Sequence, residues 1–278
     1  GYAASTTRAV GTNASEVVAT SATGTDGFLA SNYDITYVSG SLSITARPIT
    51  LTADNRTKVY GDGLTLGASA FTKTSGTYAN SEVATAVTLT SANGYAASTT
   101  RAVGTNANEV VATSATGTDG FLASNYDITY VSGSLSVTQK TLTITADARS
   151  TTYGTALVLG TSNFTQIGLI NNDSITGVTL VQGGNSTVPA TQAAGTYSGS
   201  TDGILASAAQ GTGLSNYAIT YAPNTLTINK ATLTVTADNQ TRVYGDSNPT
   251  LTYGITGYVN SENATLAGIT GTPSITTT

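Results

Sequence analysis

The 278-residue chain contains no cysteine, histidine, methionine or tryptophan, and these absences exclude several kinds of chemistry. Without histidine or cysteine there is no Ser-His-Asp or Cys-His arrangement, no thiol redox motif and no zinc or copper site of the usual ligand types. The sequence therefore predicts no catalytic, cofactor-binding or metal-ligating residues, and we expect no enzyme. The lack of cysteine leaves secretion open, because domains of about 90 residues can build a core without disulfides.

Charge is also scarce, at 9% of the residues, with ten Lys plus Arg against fifteen Asp plus Glu and a formal net charge of -5. Because no basic cluster is present, the sequence does not predict nucleic-acid binding. It contains no apolar run long enough to insert in a membrane and no signal-peptide pattern. Since an initiator methionine is missing, we expect an interior segment of a longer precursor.

The chain is built of repeats. Gly1–Thr45 and Gly94–Thr138 agree at 43 of 45 positions, at a distance of 93 residues. A more diverged copy follows 91 residues later, where SNYDITY becomes SNYAITY at Ser215–Tyr221. The period predicts four segments. They are the C-terminal half of a preceding module at 1–46, complete modules at 47–139 and 140–230, and the N-terminal half of a following module at 231–278.

Apolar residues spaced two apart recur in all copies, so their side chains share one face of a strand. The recurring set is Tyr33, Tyr126, Tyr217, Ile35, Ile128, Ile219, Tyr37, Tyr130, Tyr221, Leu42, Leu135 and Leu226. Ser39–Gly40 is typical of a two-residue turn. We therefore predict a β-hairpin in which Tyr33–Tyr37 pairs with Leu42–Ile44.

Two further motifs follow each hairpin. Ile49–Ala53 alternates like a half-buried strand, and Tyr60–Gly61 is typical of a turn or bulge. Three stretches open with asparagine and an acidic residue before small apolar positions, which predicts one or two helical turns. These stretches are Asn80–Val87, Asn171–Val178 and Asn260–Ala267.

The predicted fold is mainly β: a tandem array of modules of about 92 residues, each with at most one short helix. Each module is expected to be either an immunoglobulin-like sandwich or a β-grasp-like fold. Because the junctions near residues 46–48, 139–141 and 229–231 are short, we expect an elongated, semi-rigid rod.

Candidate sites are few. Asp54, Asp147 and Asp238 each follow a strand, which favours an Asx-turn over the less favoured alternative, a structural calcium ligand. The thinly spread acids do not predict glycosidase chemistry. Tyr33 and Tyr37 share a face with Ile35, which favours packing over stacking on sugars. Four lysines that do not recur between modules are interpreted as surface residues rather than isopeptide donors: Lys58, Lys73, Lys140 and Lys230.

The combination of motifs resembles the tandem MBG and YDG-type modules of large bacterial surface adhesins. The resemblance rests on Tyr60–Gly61–Asp62 and Tyr244–Gly245–Asp246, the preceding LTVTADN-like strands, and NYxITY followed by SLSIT or TLTIN. It covers essentially the whole chain. The middle module departs from the pattern with Tyr153–Gly154–Thr155, which argues against a ligand shared through this aspartate.

The resemblance implies filamentous-haemagglutinin-like exoproteins, which Gram-negative cells secrete as elongated adhesins or biofilm-matrix scaffolds. We therefore expect a structural spacer at the bacterial cell surface. Its expected partners are neighbouring modules, matrix or cell-surface polysaccharide, and other copies in a fibre. Two alternatives remain open: a carbohydrate-binding module for matrix polysaccharide or host glycan, and a filament whose half-modules complete each other between chains.

Overall fold

The computed structural model describes residues 5–265, 267 and 274–277. The chain divides into two compact units, Gly1–Gln139 and Lys140–Thr278. Residues 1–46 are named the leading half-module and residues 231–278 the trailing half-module. No helix in the described part of the chain is long and apolar enough to cross a membrane.

The first unit contains nine strands between residues 5 and 139. They are β1 (Gly11–Val17), β2 (Gly40–Ile44), β3 (Arg47–Ala53), β4 (Arg56–Val59), β5 (Phe71–Gly76), β6 (Val83–Ser91), β7 (Gly104–Thr118), β8 (Tyr126–Val131) and β9 (Gly133–Thr138). β1 and β2 form a two-stranded antiparallel sheet in the leading half-module. The complete module 47–139 has two sheets, with strand orders β5-β3-β8 and β4-β9-β7-β6.

The second unit contains twelve strands and one short helix in its described residues. They are β10 (Lys140–Ala146), β11 (Arg149–Thr152), β12 (Leu157–Val158), β13 (Phe164–Ile167), β14 (Ser174–Val181), β15 (Thr187–Val188), β16 (Gly195–Tyr197), α1 (Gly199–Asp202), β17 (Leu205–Thr212), β18 (Tyr217–Ala222), β19 (Leu226–Asn229), β20 (Thr234–Ala237) and β21 (Tyr253–Thr256). The predicted fold class, mainly β with at most one short helix, is confirmed.

The first two strands of each complete module lie beside its last two strands and run parallel to them. In module 47–139, β3 pairs with β8 from Arg47↔Tyr126 onward, and β4 pairs with β9 as far as Val59↔Thr138. In the second unit, β10 pairs with β18 and β11 with β19 in the same sense. Because β3–β4 and β8–β9 each pass from one sheet to the other, these two runs connect both sheets of the module.

The predicted hairpin is therefore wrong. β8 pairs with β3, whereas β9 pairs with β4 and antiparallel with β7. Gly133, the first residue of β9, is required by a close approach of two backbones rather than by a turn, because a Cβ there would lie 2.5 Å from the carbonyl oxygen of Ala53. Period-two alternation identified the strand faces correctly, but it carried no information about which strands pair.

The predicted helical turns are wrong at the first two asparagine motifs. Asn80 and Ser81 have φ angles of 52° and 63°, so they form a left-handed pair that opens strand β6. Asn171 and Asn172 do the same before β14. Asparagine is among the residues that tolerate this conformation best. Asn260 and Ser261 repeat the pair, although one residue of that third stretch, 266, lies outside the described residues.

The core of the module 47–139 forms from the inward faces of these strands. Ile49, Leu51 and Ala53 on β3 are buried, whereas Thr50 and Thr52 between them are partly exposed. Their neighbours in the core include Val110 and Leu135, both completely buried. The predicted alternation of Ile49–Ala53 is thus confirmed. Fully burying a Leu or Ile side chain contributes roughly 1.5–3 kcal/mol.

Candidate functional site

The recurring aspartates lie at the ends of β3, β10 and β20, and their backbones are paired across the sheet. Their N–H groups donate to Ala70, Asn163 and Thr252, respectively, at 2.9–3.0 Å. The carboxylate of Asp54 accepts the hydroxyl of Thr72 at 2.8 Å, which is a cross-strand bond rather than the Asx-turn expected. Within the described residues, no group of three or more acidic side chains could hold a metal ion.

The first tyrosine of the NYxITY strand is buried against an acidic residue. Tyr126 is 6% exposed, and its hydroxyl donates to Glu82 at 2.6 Å while accepting the N–H of Ala79 at 3.0 Å. Burial, followed by the bond to Glu82, raises the pKa of Tyr126. In the second unit Tyr217 donates to Asp173 at 2.7 Å. In both complete modules the acid of the asparagine motif therefore accepts a hydrogen bond from a tyrosine of its own module.

The second tyrosine of the same strand caps a bulge. In each copy a residue other than glycine has a positive φ, and the N–H that follows it donates to the tyrosine hydroxyl. The pairs are Ala115 with Tyr130, Ala209 with Tyr221, and Ala22 with Tyr37, at 2.8–2.9 Å. Since both tyrosines of each complete module are committed to internal bonds, packing explains why they recur.

The exposure of the first tyrosine of the NYxITY segment differs sharply between the copies. Tyr33 is 62% exposed in the leading half-module, where residues 33–38 belong to no strand, although Tyr126 at the same position of the repeat is buried. Phe28 stacks on Tyr33 with ring centroids 5.5 Å apart. Tyr37 is also exposed, at 43%. Because its hydroxyl accepts the N–H of Ala22, and because the equivalent of Tyr33 is buried in the complete module, these exposed rings reflect an incomplete module rather than an aromatic platform.

A buried carboxylate stands out in module 47–139. Glu109 is completely buried, and it accepts hydrogen bonds from the Ser91 hydroxyl and from both nitrogens of Asn93. The N–H of Tyr95 also donates to it, at 3.1 Å. Desolvation favours the neutral acid, but these four bonds together outweigh it and lower the pKa of Glu109 below its usual 4.5. The residue holds the 91–95 loop in place.

Lys58 faces the same loop and corrects the surface interpretation given to it. It is 6% exposed, and its ammonium donates to the backbone carbonyls of Tyr95, Ala96 and Ser98. Three acceptors match the three N–H groups of an ammonium, which allows the charge to leave water. Burial lowers the pKa of Lys58, an effect that Asp62 and Glu109 oppose. Sequence alone gave no signal of this burial, because no equivalent lysine recurs.

The Tyr-Gly motifs form turns, as predicted. Gly61, Gly154 and Gly245 have φ angles of 92–94°, a conformation that favours glycine. The tyrosine hydroxyl of the second motif, Tyr153, donates to Glu262 in the trailing half-module, and this bond raises the pKa of Tyr153. In this contact, recurring polar residues of two consecutive modules meet. Sequence analysis missed this role for the asparagine-motif acid.

Comparison with known proteins identifies the repeats. A family model described as MBG domain (YGX type) matches residues 49–136, 142–227 and 233–278. No curated protein and no solved structure matches the chain.

Proposed function

Because the chain belongs to the family of MBG domains (YGX type), present here as three tandem copies, we propose that it is a spacer segment of a secreted bacterial surface protein. In this proposal the modules extend a binding region of an adhesin or biofilm-matrix fibre away from the cell. The segment catalyses no reaction, its partners are the neighbouring modules, and it works outside the cell.

The observation that supports this proposal is the parallel pairing of the first two strands of each complete module with its last two. Tension along the chain enters module 47–139 at Arg47 and leaves at Thr138, which lie at opposite ends of the paired runs. Pulling therefore slides one run along the other. The backbone hydrogen bonds between them are loaded together instead of breaking one at a time, and this geometry resists force well.

The carbohydrate-binding alternative is less well supported, because the tyrosines that suggested it serve the fold in both complete modules. Tyr126 and Tyr217 are buried, and Tyr130 and Tyr221 cap bulges. No described feature favours it over the spacer.

Single-molecule force spectroscopy tests the spacer proposal. The full chain, pulled from its ends, should give two matching unfolding events, each releasing about 300 Å of chain at roughly 3.3–3.6 Å per residue. As a comparison, module 47–139 alone, within the full chain, is pulled through cysteines introduced by Thr88→Cys and Thr113→Cys, which are partners on the antiparallel strands β6 and β7. These handles are unique because the chain has no cysteine.

Pulling at Thr88→Cys and Thr113→Cys opens β6 from β7 by peeling, so it should require a lower force than pulling from the chain ends. If the ends yield at a force no higher than this pair of handles, the modules are not built to carry tension, and the spacer proposal is wrong.

A further inference from the structure

The asparagine motif lies at the boundary between consecutive modules in both units. The side-chain amide of Asn80 donates to the carbonyl oxygen of Thr6 in the leading half-module, at 2.8 Å. In the second unit the amide of Asn260, in the trailing half-module, donates to Ala190 of module 140–230, at 3.1 Å. Thr6 and Ala190 occupy the same position of the repeat. The same residue thus makes the same contact at two separate junctions.

The backbone of this motif holds the asparagine in place for that contact. Asn80 and Asn260 have φ angles of 52° and 53°, and the serine after each is also left-handed. The turn is fixed from inside its own module as well, because Tyr126 accepts the N–H of Ala79 and donates to Glu82. One short turn is therefore bonded both to its own module and to the preceding one.

A second contact accompanies the asparagine in the second unit. Tyr153, of the Tyr-Gly turn in module 140–230, donates to Glu262 of the trailing half-module. The glycine beside it allows close approach, because a Cβ on Gly154 would lie 2.6 Å from the Cβ of Val259. The tyrosine and glycine of the motif thus have distinct roles at this junction: one donates a hydrogen bond, and the other gives room to the next module.

Apart from the contact of Val259 with Gly154, this junction has little apolar packing beside its hydrogen bonds. A cleft of about 390 Å³ lies beside these contacts, lined by residues that include Tyr153, Leu233, Tyr258 and Glu262. Because apolar side chains do not fill this space, the orientation of the trailing half-module on module 140–230 depends on the hydrogen bonds of Asn260 and Tyr153.

We propose that the asparagine-motif turn is a docking element whose partner is the preceding module of the same chain. The asparagine donates to a backbone carbonyl of that module. In the trailing half-module the acid, Glu262, also accepts the hydroxyl of the preceding module's Tyr-Gly turn. Docking restricts rotation between consecutive modules and adds a nearest-neighbour stabilisation to each module's own stability. This inference rests on the proposed spacer function, because it explains how short junctions make an array stiff.

Distances between spin labels test the proposal in the full chain. Labels are attached to cysteines introduced by Ser207→Cys in module 140–230 and Ser247→Cys in the trailing half-module. Both positions are exposed, and no other thiol competes for the label because the chain has no cysteine. The unmodified junction should give one narrow distance distribution. The double variant Tyr153→Phe with Asn260→Asp removes both hydrogen-bond donors, and aspartate tolerates the left-handed backbone at 260, so the distribution should broaden and lose its single peak.

Tyr244→Phe is the matched control, because this tyrosine belongs to the third Tyr-Gly motif and is fully exposed. It should leave the distribution narrow. Circular dichroism should show that the double variant keeps its strand content, which separates loss of docking from loss of folding. A narrow peak that persists in the double variant, or a broad distribution before any substitution, would overturn the proposal. Neither result affects the force test, which depends on strands inside the complete modules.

Discussion

Glu109 illustrates how one residue type takes different roles in nearly identical sequences. In module 47–139 it is completely buried among hydrogen-bond donors, whereas Glu16, at the same position of the leading half-module, is partly exposed and lies 3.5 Å from Arg8. The bonds that compensate its burial come from Ser91, Asn93 and Tyr95. Burial of a charge is therefore set by partners distant in sequence, which explains why residue patterns did not reveal Glu109 or Lys58.

We predict that Glu109 makes the stability of module 47–139 depend on acid. Its pKa is lower in the folded than in the unfolded chain, so its contribution is complete above about pH 4.5 and is lost as pH falls through the folded pKa. Glu109→Gln should lower the free energy of unfolding at pH 7 by about 1–3 kcal/mol, because amide geometry leaves buried donors unsatisfied.

Denaturant unfolding at pH 7 and pH 3 provides the measurement. The difference in unfolding free energy between Glu109→Gln and the unsubstituted chain should shrink at the lower pH. Asp119→Asn is the control, because Asp119 is exposed and asparagine tolerates its left-handed backbone. A difference that stays constant with pH would contradict the assigned role of the carboxylate.

At the scale of elements, the same thirteen residues, SNYDITYVSGSLS, occur in two environments. In the complete module they supply β8 and part of β9, and Gly133 contacts the backbone of Ala53 and Asp54. In the leading half-module the equivalent Gly40 would place a Cβ 3.5 Å from Val17, an ordinary contact. The glycine is therefore constrained by the strand that passes beside it.

This difference predicts opposite outcomes for two identical substitutions. Gly133→Ala should destabilise module 47–139 by about 1–3 kcal/mol, the usual cost of overpacking. Gly40→Ala should be nearly neutral. Thermal unfolding of both variants, with the unsubstituted chain as reference, decides the question; equal effects would mean that a turn conformation, rather than the close approach, selects glycine here.

The sequence predicted the strands better than their connections. Alternating apolar residues correctly placed Ile49 and Leu51 on a buried face, since period two reports which side of a strand faces the core. It does not report the neighbouring strand, so Ser39–Gly40 suggested a local hairpin where the structure has pairing over a long sequence separation. Similarly, an asparagine before an acid suits both a helix cap and a left-handed turn, and only the paired strands β6 and β14 distinguish them.

For the whole molecule, the parallel pairing of terminal strands can be tested covalently. Thr50 and Thr129 are partners on β3 and β8. Thr143 and Thr220 are partners on β10 and β18, and the hydroxyls of this second pair are 3.2 Å apart. Thr50→Cys with Thr129→Cys should form a disulfide, because neighbouring strands bring Cα atoms within its reach. The oxidised module, pulled from the chain ends, should release about 260 Å less chain, at roughly 3.3–3.6 Å per residue.

The second cysteine pair, Thr143→Cys with Thr220→Cys, should shorten the other unfolding event by a similar amount, and reduction should restore full length in both cases. Failure of either pair to oxidise in the folded chain would contradict the parallel register. A hairpin within the NYxITY segment would keep the paired threonines apart, so the experiment also separates the observed topology from the one expected from sequence.

The pairing of the first two strands with the last two also constrains the order in which the parts of a module can fold during synthesis. Ser134 and Asn55, which meet where the chain crosses between sheets, are 79 residues apart in sequence. A growing chain holds β3 and β4 without their partners until β8 and β9 have been synthesised. Folding rates fall as contacts become more distant in sequence, so each module should close late and slowly. During that interval a nearly identical strand from an adjacent repeat can compete for the open edge, and the order of synthesis favours whichever copy emerges first.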